Sequence, residues 1–208
     1  MPEPARRLAS TGRGCYDRAM GSGSANVILV GFMGAGKSAV GRLLARRLDL
    51  CFVETDDMIV AREGKPIPEI FAERGETYFR ALEAEVLDLL AEKRGHVIAT
   101  GGGFPCRDGV MERLKRLGTV VWLDGDFDRL YARAQRSGDR PMLAGRSRED
   151  LLALYRQREA YYARADARVD TSHLGVDAVV GQILRLLGER QRSAGAERMR
   201  ARPPDSRA

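Results

Sequence analysis

Short apolar runs alternate with longer stretches in which apolar residues recur every three or four positions, from residue 27 to residue 187. The run Val27-Ile28-Leu29-Val30 is continuous and β-branched, as a strand buried on both faces requires. Similar runs at 51–53, 97–99, 119–123 and 167–169 predict four more strands. Val40, Leu43, Leu44 and Leu48 have helical spacing and predict a helix from Lys37. Further helices are expected over 58–62, 67–74, 77–94, 109–117, 127–136, 148–163 and 176–187. Gly64 and Pro66 end the helix over 58–62, and Leu82, Val86, Leu89 and Leu90 share one face of the helix over 77–94. Residues 137–147 are rich in Gly, Pro and Arg and read as a loop between two helices. Residues 1–24 read as a flexible lead, 25–188 as one domain, and the basic stretch 189–208 as a disordered tail. Strands alternating with helices imply an α/β fold, a parallel sheet covered by helices on both faces. Right-handed crossovers then place the ligand crevice at the carboxyl ends of the strands.

Composition narrows the class. The chain has 208 residues, enough for a single core without metals or disulfides. No apolar stretch approaches the ~20 residues that span a bilayer, and no apolar run follows the N-terminal arginines, so neither a membrane span nor a secretory signal is expected. The net charge of +6 suggests nucleic acid at first sight. Residues 1–24 hold four arginines against two acids and 189–208 hold six against three, which leaves only +1 on 25–188. The basic character is that of solvated tails, and no nucleic-acid partner is expected. Cys15, Cys51 and Cys106 are odd in number and widely spaced, which argues against a zinc site or a disulfide framework and suits a reducing compartment. With only His96 and His173, a histidine-based centre has little material, and His96 is expected at a strand end.

The candidate chemistry lies in the loops after the strands. Gly31-Phe-Met-Gly-Ala-Gly36-Lys37-Ser38 fits G-x-x-x-x-G-K-[ST] between a strand and a helix, the setting of a phosphate-binding P-loop. Its glycines let backbone N–H groups surround phosphate oxygens, Lys37 supplies a point charge, and Ser38 Oγ can ligate Mg²⁺. Chance alone gives this pattern in about one chain in a hundred, and the glycine spacing is not that of a dinucleotide site. Glu54 and Asp56 close the second strand, and period-two alternation would point both to one side. Such a pair can hold metal-bound water and accept a hydroxyl proton. The plain alternative is that Thr55 or Asp56 caps the next helix. Gly101-Gly102-Gly103 offers unobstructed backbone donors, or is simply a loose turn. Arg140, between Gly138 and Gly145, can close over a phosphate, or sit in an ordinary exposed loop.

Taken together, these segments resemble the shikimate kinase family from about residue 26 to 187. The P-loop G-F-M-G-A-G-K-S, Phe52-Val-Glu-Thr-Asp56, and Ile70-Phe-Ala-Glu-Arg-Gly-Glu-Thr-Tyr-Phe-Arg80 are similar to that family's segments in order. So are Ala99-Thr-Gly-Gly-Gly103, Arg140-Pro-Met-Leu, and Arg156-Gln-Arg158-Glu-Ala-Tyr-Tyr162. The resemblance implies a P-loop fold like that of the nucleoside monophosphate kinases. It implies transfer of the ATP γ-phosphoryl group to the 3-hydroxyl of shikimate, in chorismate and aromatic amino-acid biosynthesis. Lys37, Asp56 and Arg140 would be catalytic. Gly34, Ala35, Gly36, Lys37, Ser38, Ala39, Arg133 and Arg140 would bind nucleotide, with the Arg133 guanidinium over the adenine. Asp56, Arg80, Gly101, Gly102, Gly103 and Arg158 would bind substrate, the two arginines clamping the carboxylate. Ser38 and Glu54 would hold Mg²⁺, and 137–147 would be a lid. A cytoplasmic monomer whose partners are ATP and shikimate is the expectation. Glu54 stands where the family usually has Asp, Ala160 replaces a Pro, Met142 replaces a Leu, and the adenine-side loop 170–176 lacks a common Pro. The rival readings are a kinase for gluconate or a nucleotide, against which Arg80, Arg158 and the triple glycine speak, and a silent nucleotide-binding module, against which Lys37, Asp56 and Arg140 speak.

Overall fold

The structure is a computed structural model that describes residues 25–136 and 146–200, with side chains described to Arg190 and at Arg192. Five strands, β1 (Asn26–Val30), β2 (Cys51–Glu54), β3 (His96–Ala99), β4 (Gly118–Asp124) and β5 (Ala167–Asp170), form one sheet in the order β2-β3-β1-β4-β5. Every pairing is parallel, with Ile28 opposite Ile98 on one side and Val120 on the other. β1 lies at the centre and all five of its residues are buried, which is why its sequence shows no polar alternation. Ile28, Leu29, Val97, Ile98, Val120 and Val121 form the inner core of the sheet.

Seven helices flank the sheet among the described residues: α1 (Lys37–Leu48), α2 (Thr55–Glu63), α3 (Ile67–Ala91), α4 (Val110–Leu117), α5 (Phe127–Arg136), α6 (Arg148–Tyr162) and α7 (Val176–Arg200). The two helices expected over 67–94 are both present and meet at Gly75, whose φ of 76° and ψ of 178° are not helical; together they are labelled α3. No helix there is long and apolar enough to cross a membrane.

Two expectations need correction. The last helix does not stop at residue 187, with disorder from 189; α7 continues to Arg200. Residues 189–200 are mostly Arg, Glu, Gln and Ala, all strong helix formers, and no proline occurs before Pro203. Cys51 is disulfide-bonded, where no disulfide was expected, and Cys106 is free. Spacing along the chain does not report proximity across a fold. The lead 1–24, and 137–145 of the lid segment including Arg140, also lie outside the described residues.

Candidate active site

All the loops that carry chemistry leave the carboxyl edge of the sheet. The loop after β1 turns into α1 through Gly36, whose φ of 85° makes it a left-handed N-cap. At Gly34, φ is 79° and a Cβ would run into the carbonyl oxygen of Leu130, so no other residue fits there. Gly34, Ala35, Gly36, Lys37, Ser38 and Ala39 thus wrap the start of α1, where amide N–H groups and the helix dipole favour an anion. Lys37 Nζ donates back to the carbonyls of Gly31 at 2.7 Å and Phe32 at 3.0 Å, which holds the ammonium inside the loop.

β2 ends at Glu54 and α2 begins at Thr55, so strand alternation does not carry through to Asp56. The two carboxylates separate instead. Glu54 turns to α1, accepting a hydrogen bond from Ser38 Oγ and one from Arg42 Nη2 at 2.6 Å. Asp56 turns toward Gly101. The helix-cap alternative is not what forms: the N-cap of α2 is Glu54, without a side-chain cap bond. Thr55 Oγ1 accepts the Gly101 N–H at 2.8 Å, which ties the start of α2 to the glycine segment after β3. Burial is the main cause that raises the Asp56 carboxyl above the ordinary carboxylate value of 3.8, opposed by the nearby Lys37 ammonium and assisted by Glu83 and Glu54. A carboxylate in that condition is a stronger proton acceptor than one in water.

The triple glycine lies between Asp56 and two guanidinium groups. A Cβ at Gly101 would collide with Asp56 Oδ1, whereas one at Gly103 would sit 3.1 Å from Arg158 Nη2 and 3.4 Å from Arg80 Nη1. Arg80 and Arg158, 78 positions apart in sequence, therefore converge on Gly103. Arg158 is aimed by its helix. α6 opens with a capping box in which Ser147 Oγ accepts from the Asp150 N–H, and Ser147 N–H donates to Asp150 Oδ2 at 3.1 Å. One face of α6 then presents Tyr155, Arg158 and Tyr162. Tyr155 donates to Asp124 Oδ1 at 3.0 Å, and Tyr162 donates to the Gly102 carbonyl at 2.6 Å, so Arg158 is pinned on both sides. Its guanidinium lies 5.9 Å from the centre of the Phe32 ring, within the P-loop itself.

Arg80 forms the ordinary helix-surface pairs one would expect of an arginine beside acids, with Glu76 at 2.8 Å and Glu83 at 2.7 Å. These bonds fix its position without turning it away from Gly103. Glu83 is buried, with 2% of its surface exposed, and Arg107 Nη2 approaches it from the other side at 3.7 Å. Arg107 also donates to the Arg80 carbonyl at 3.0 Å. Sequence reading gave no role to Arg107, Tyr155, Tyr162 or Phe32, and to Glu83 only that of a helix-surface partner for Arg80. The spacing of Tyr155, Arg158 and Tyr162 was a usable signal for the tyrosines; nothing in the chain order signals Arg107.

On the far side of the P-loop, Arg133 donates to the carbonyls of Thr171 at 2.7 Å and Ser172 at 3.2 Å. It therefore lies against the segment that follows β5. Among the described residues no group of three or more His, Cys, Asp or Glu is placed to hold a metal ion. Ser38 with Glu54 remains the one hydroxyl–carboxylate pair at the P-loop, an oxygen donor set suited to a hard cation that keeps water and phosphate ligands.

The family model described as shikimate kinase matches residues 33–188. A shikimate kinase from Moorella thermoacetica is 46% identical over 159 residues, covering 76% of this chain and 91% of its own. The solved shikimate kinase from Acinetobacter baumannii in complex with shikimate is 34% identical and superimposes with a TM-score of 0.76, over 80% of this chain and 94% of its own. A deoxyadenosine kinase from M. mycoides has a TM-score of 0.54 at 16% identity, over 79% of this chain and 99% of its own, and shares the fold alone. With the family match running from residue 33 to 188 and a relative 46% identical over 159 residues, the chain belongs to the shikimate kinase family.

Proposed function

We propose that this chain transfers the γ-phosphoryl group of ATP to the 3-hydroxyl of shikimate, giving shikimate 3-phosphate and ADP. The observation that carries the reading is the division of the triple-glycine segment. Asp56 lies against Gly101, and Arg80 and Arg158 lie against Gly103. Two residues span at most about 7 Å, the scale of a six-membered ring with a carboxylate at one end and a hydroxyl at the other. Paired guanidinium groups suit a carboxylate because their N–H donors match its two oxygens.

Phosphoryl transfer needs mostly positioning and charge stabilisation. Arg80 and Arg158 hold the acceptor carboxylate, and the small glycines let the ring approach the backbone. Asp56 accepts the hydroxyl proton as the oxygen attacks phosphorus, its raised basicity favouring that transfer. The amides of residues 34–39 and Lys37 hold the β- and γ-phosphates and stabilise charge spreading over the transferred oxygens. Arg133 lies on the adenine side. Arg140, in the lid segment, lies outside the described residues; its place in Arg140-Pro-Met-Leu supports a role against the phosphates.

Ser38 and Glu54 would hold Mg²⁺, Ser38 directly and Glu54 through water. Bound there, the ion would supply positive charge that neutralises the phosphates. By donating its one O–H to Glu54, Ser38 keeps its oxygen lone pairs for other partners. ATP as co-substrate supports a cytoplasmic location.

The test is ADP release with ATP and a panel of acceptors: shikimate, other hydroxy acids, gluconate and nucleoside monophosphates. Release that depends on shikimate supports the proposal. Release that is fastest with gluconate or a nucleotide, or that ignores the acceptor, contradicts it.

A further inference from the structure

The Glu54 side chain is one methylene longer than an aspartate's. A longer carboxylate arm has an extra rotatable bond and is harder to aim. The structure supplies an aiming device on α1. Ser38 and Arg42 are four residues apart on that helix and so stand one above the other on one face. Each addresses a different oxygen of one carboxylate. Ser38 Oγ donates to Glu54 Oε1, and Arg42 Nη2 donates to Glu54 Oε2 at 2.6 Å.

The guanidinium is itself held. It lies 4.8 Å from the centre of the Phe52 ring, and Phe52 is the second residue of β2, two before Glu54. That ring packs over Gly41, where a Cβ would collide with Phe52 Cε2. Gly41 thus lets the ring come down on α1, the ring supports Arg42, and Arg42 holds the outer oxygen of Glu54. The result is a bracketed carboxylate with 17% of its side chain exposed, although Arg42 is 59% exposed.

We propose that Arg42 is a positioning residue that sets the Mg²⁺ dependence of nucleotide binding by fixing Glu54 against Ser38. This rests on the reading of Ser38 and Glu54 as the metal-holding pair. With Glu54 fixed, the Ser38 hydroxyl has a permanent acceptor for its proton, and its lone pairs stay turned away from Glu54. With Glu54 free to swing, Ser38 can reorient. Removing an outer partner of a metal ligand commonly costs 10- to 100-fold in metal affinity. Arg42 is more than half exposed, so the lower figure, about tenfold, is expected. Its positive charge pulls the opposite way, because deleting a cation near a metal site tightens metal binding. The two effects differ in sign, so the direction of change separates positioning from charge alone.

The experiment measures ADP binding by calorimetry across a Mg²⁺ titration, and again in EDTA, for the parent, Arg42→Ala, Arg42→Lys and Glu54→Asp, each confirmed as folded by thermal unfolding. Arg42→Ala should raise the Mg²⁺ concentration at half effect about tenfold and leave affinity in EDTA unchanged. Arg42→Lys, which keeps one charged donor, should recover part of the loss. In a Glu54→Asp background the carboxylate no longer reaches Arg42, so Arg42→Ala should add no further change. An Arg42→Ala titration that matches the parent, or one shifted to lower Mg²⁺, overturns the positioning role while leaving the metal pair intact. A parent whose ADP affinity ignores Mg²⁺ overturns the metal pair itself, and this proposal with it.

Discussion

Adding a single methyl group to the triple glycine, Gly101→Ala, should disable turnover while leaving the fold and nucleotide binding alone. Gly101 has no need of a left-handed backbone, so alanine is conformationally acceptable there. Its Cβ would fall well inside van der Waals contact with Asp56 Oδ1, with Asp56 Cγ 3.3 Å and Oδ2 3.4 Å away. Restoring an ordinary contact separation moves the carboxylate by roughly 1 Å. A misplacement of that size at a reacting group can cost about 10²-fold in rate. Alanine also reduces the freedom of the unfolded chain, which stabilises by about 0.4–1 kcal/mol and offsets part of the crowding. Tm should therefore stay within a few degrees of the parent. The assay is steady-state ADP release with ATP and shikimate varied in turn, beside calorimetric ADP binding. The expected result is kcat down about 10²-fold, with KM for ATP and ADP affinity unchanged. A folded variant that turns over within twofold of the parent would refute the placement of Asp56 as proton acceptor.

Asp56→Asn should lower kcat far more than it weakens ATP binding, and the parent's kcat/KM should fall on acidification from a pH above the ordinary carboxylate range, since burial raises the Asp56 carboxyl. The same shift fixes a sign for stability. A carboxyl whose folded value lies above its unfolded one costs stability when ionised, a cost that vanishes as pH falls below the unfolded value. Asp56→Asn should then raise Tm at neutral pH, with the gain shrinking toward pH 4; a lowered Tm at pH 7 would contradict it. Lys37→Ala should reduce turnover by about 10²–10³-fold with the fold intact by circular dichroism. Arg80→Ala and Arg158→Ala should each raise KM for shikimate, a charged hydrogen bond being worth about 1.5–3 kcal/mol, or roughly 10- to 100-fold. KM for ATP should hardly move in either variant.

The sheet was legible because its strands are continuous apolar runs, and Val27–Val30 reads as buried on both faces without further context. The P-loop was legible because its residue types are dictated by backbone geometry, as at Gly34. The relation of Glu54 to Asp56 was not. Alternation assumes that the strand persists, and β2 stops at Glu54. Contacts between elements were also hidden. Arg42 meets Glu54 across a helix and a strand, and Arg107 reaches Glu83 from 24 positions away. Chain order does not encode such meetings. The tail was misread because the prolines and serine after residue 200 coloured a stretch whose first twelve residues are mostly helix formers and continue α7.

The central claim is that Arg80 and Arg158 read a carboxylate while Asp56 serves the hydroxyl at the other end of the same ring. It is tested most directly by kcat/KM for shikimate and for its methyl ester, in the parent and in Arg158→Ala. In the parent the ester should lose about 10- to 100-fold, the worth of a charged hydrogen bond. In Arg158→Ala the two acceptors should differ by much less, because the group that told them apart is gone. Equal penalties for the ester in both proteins would show that Arg158 does not face the carboxylate, and would contradict the account.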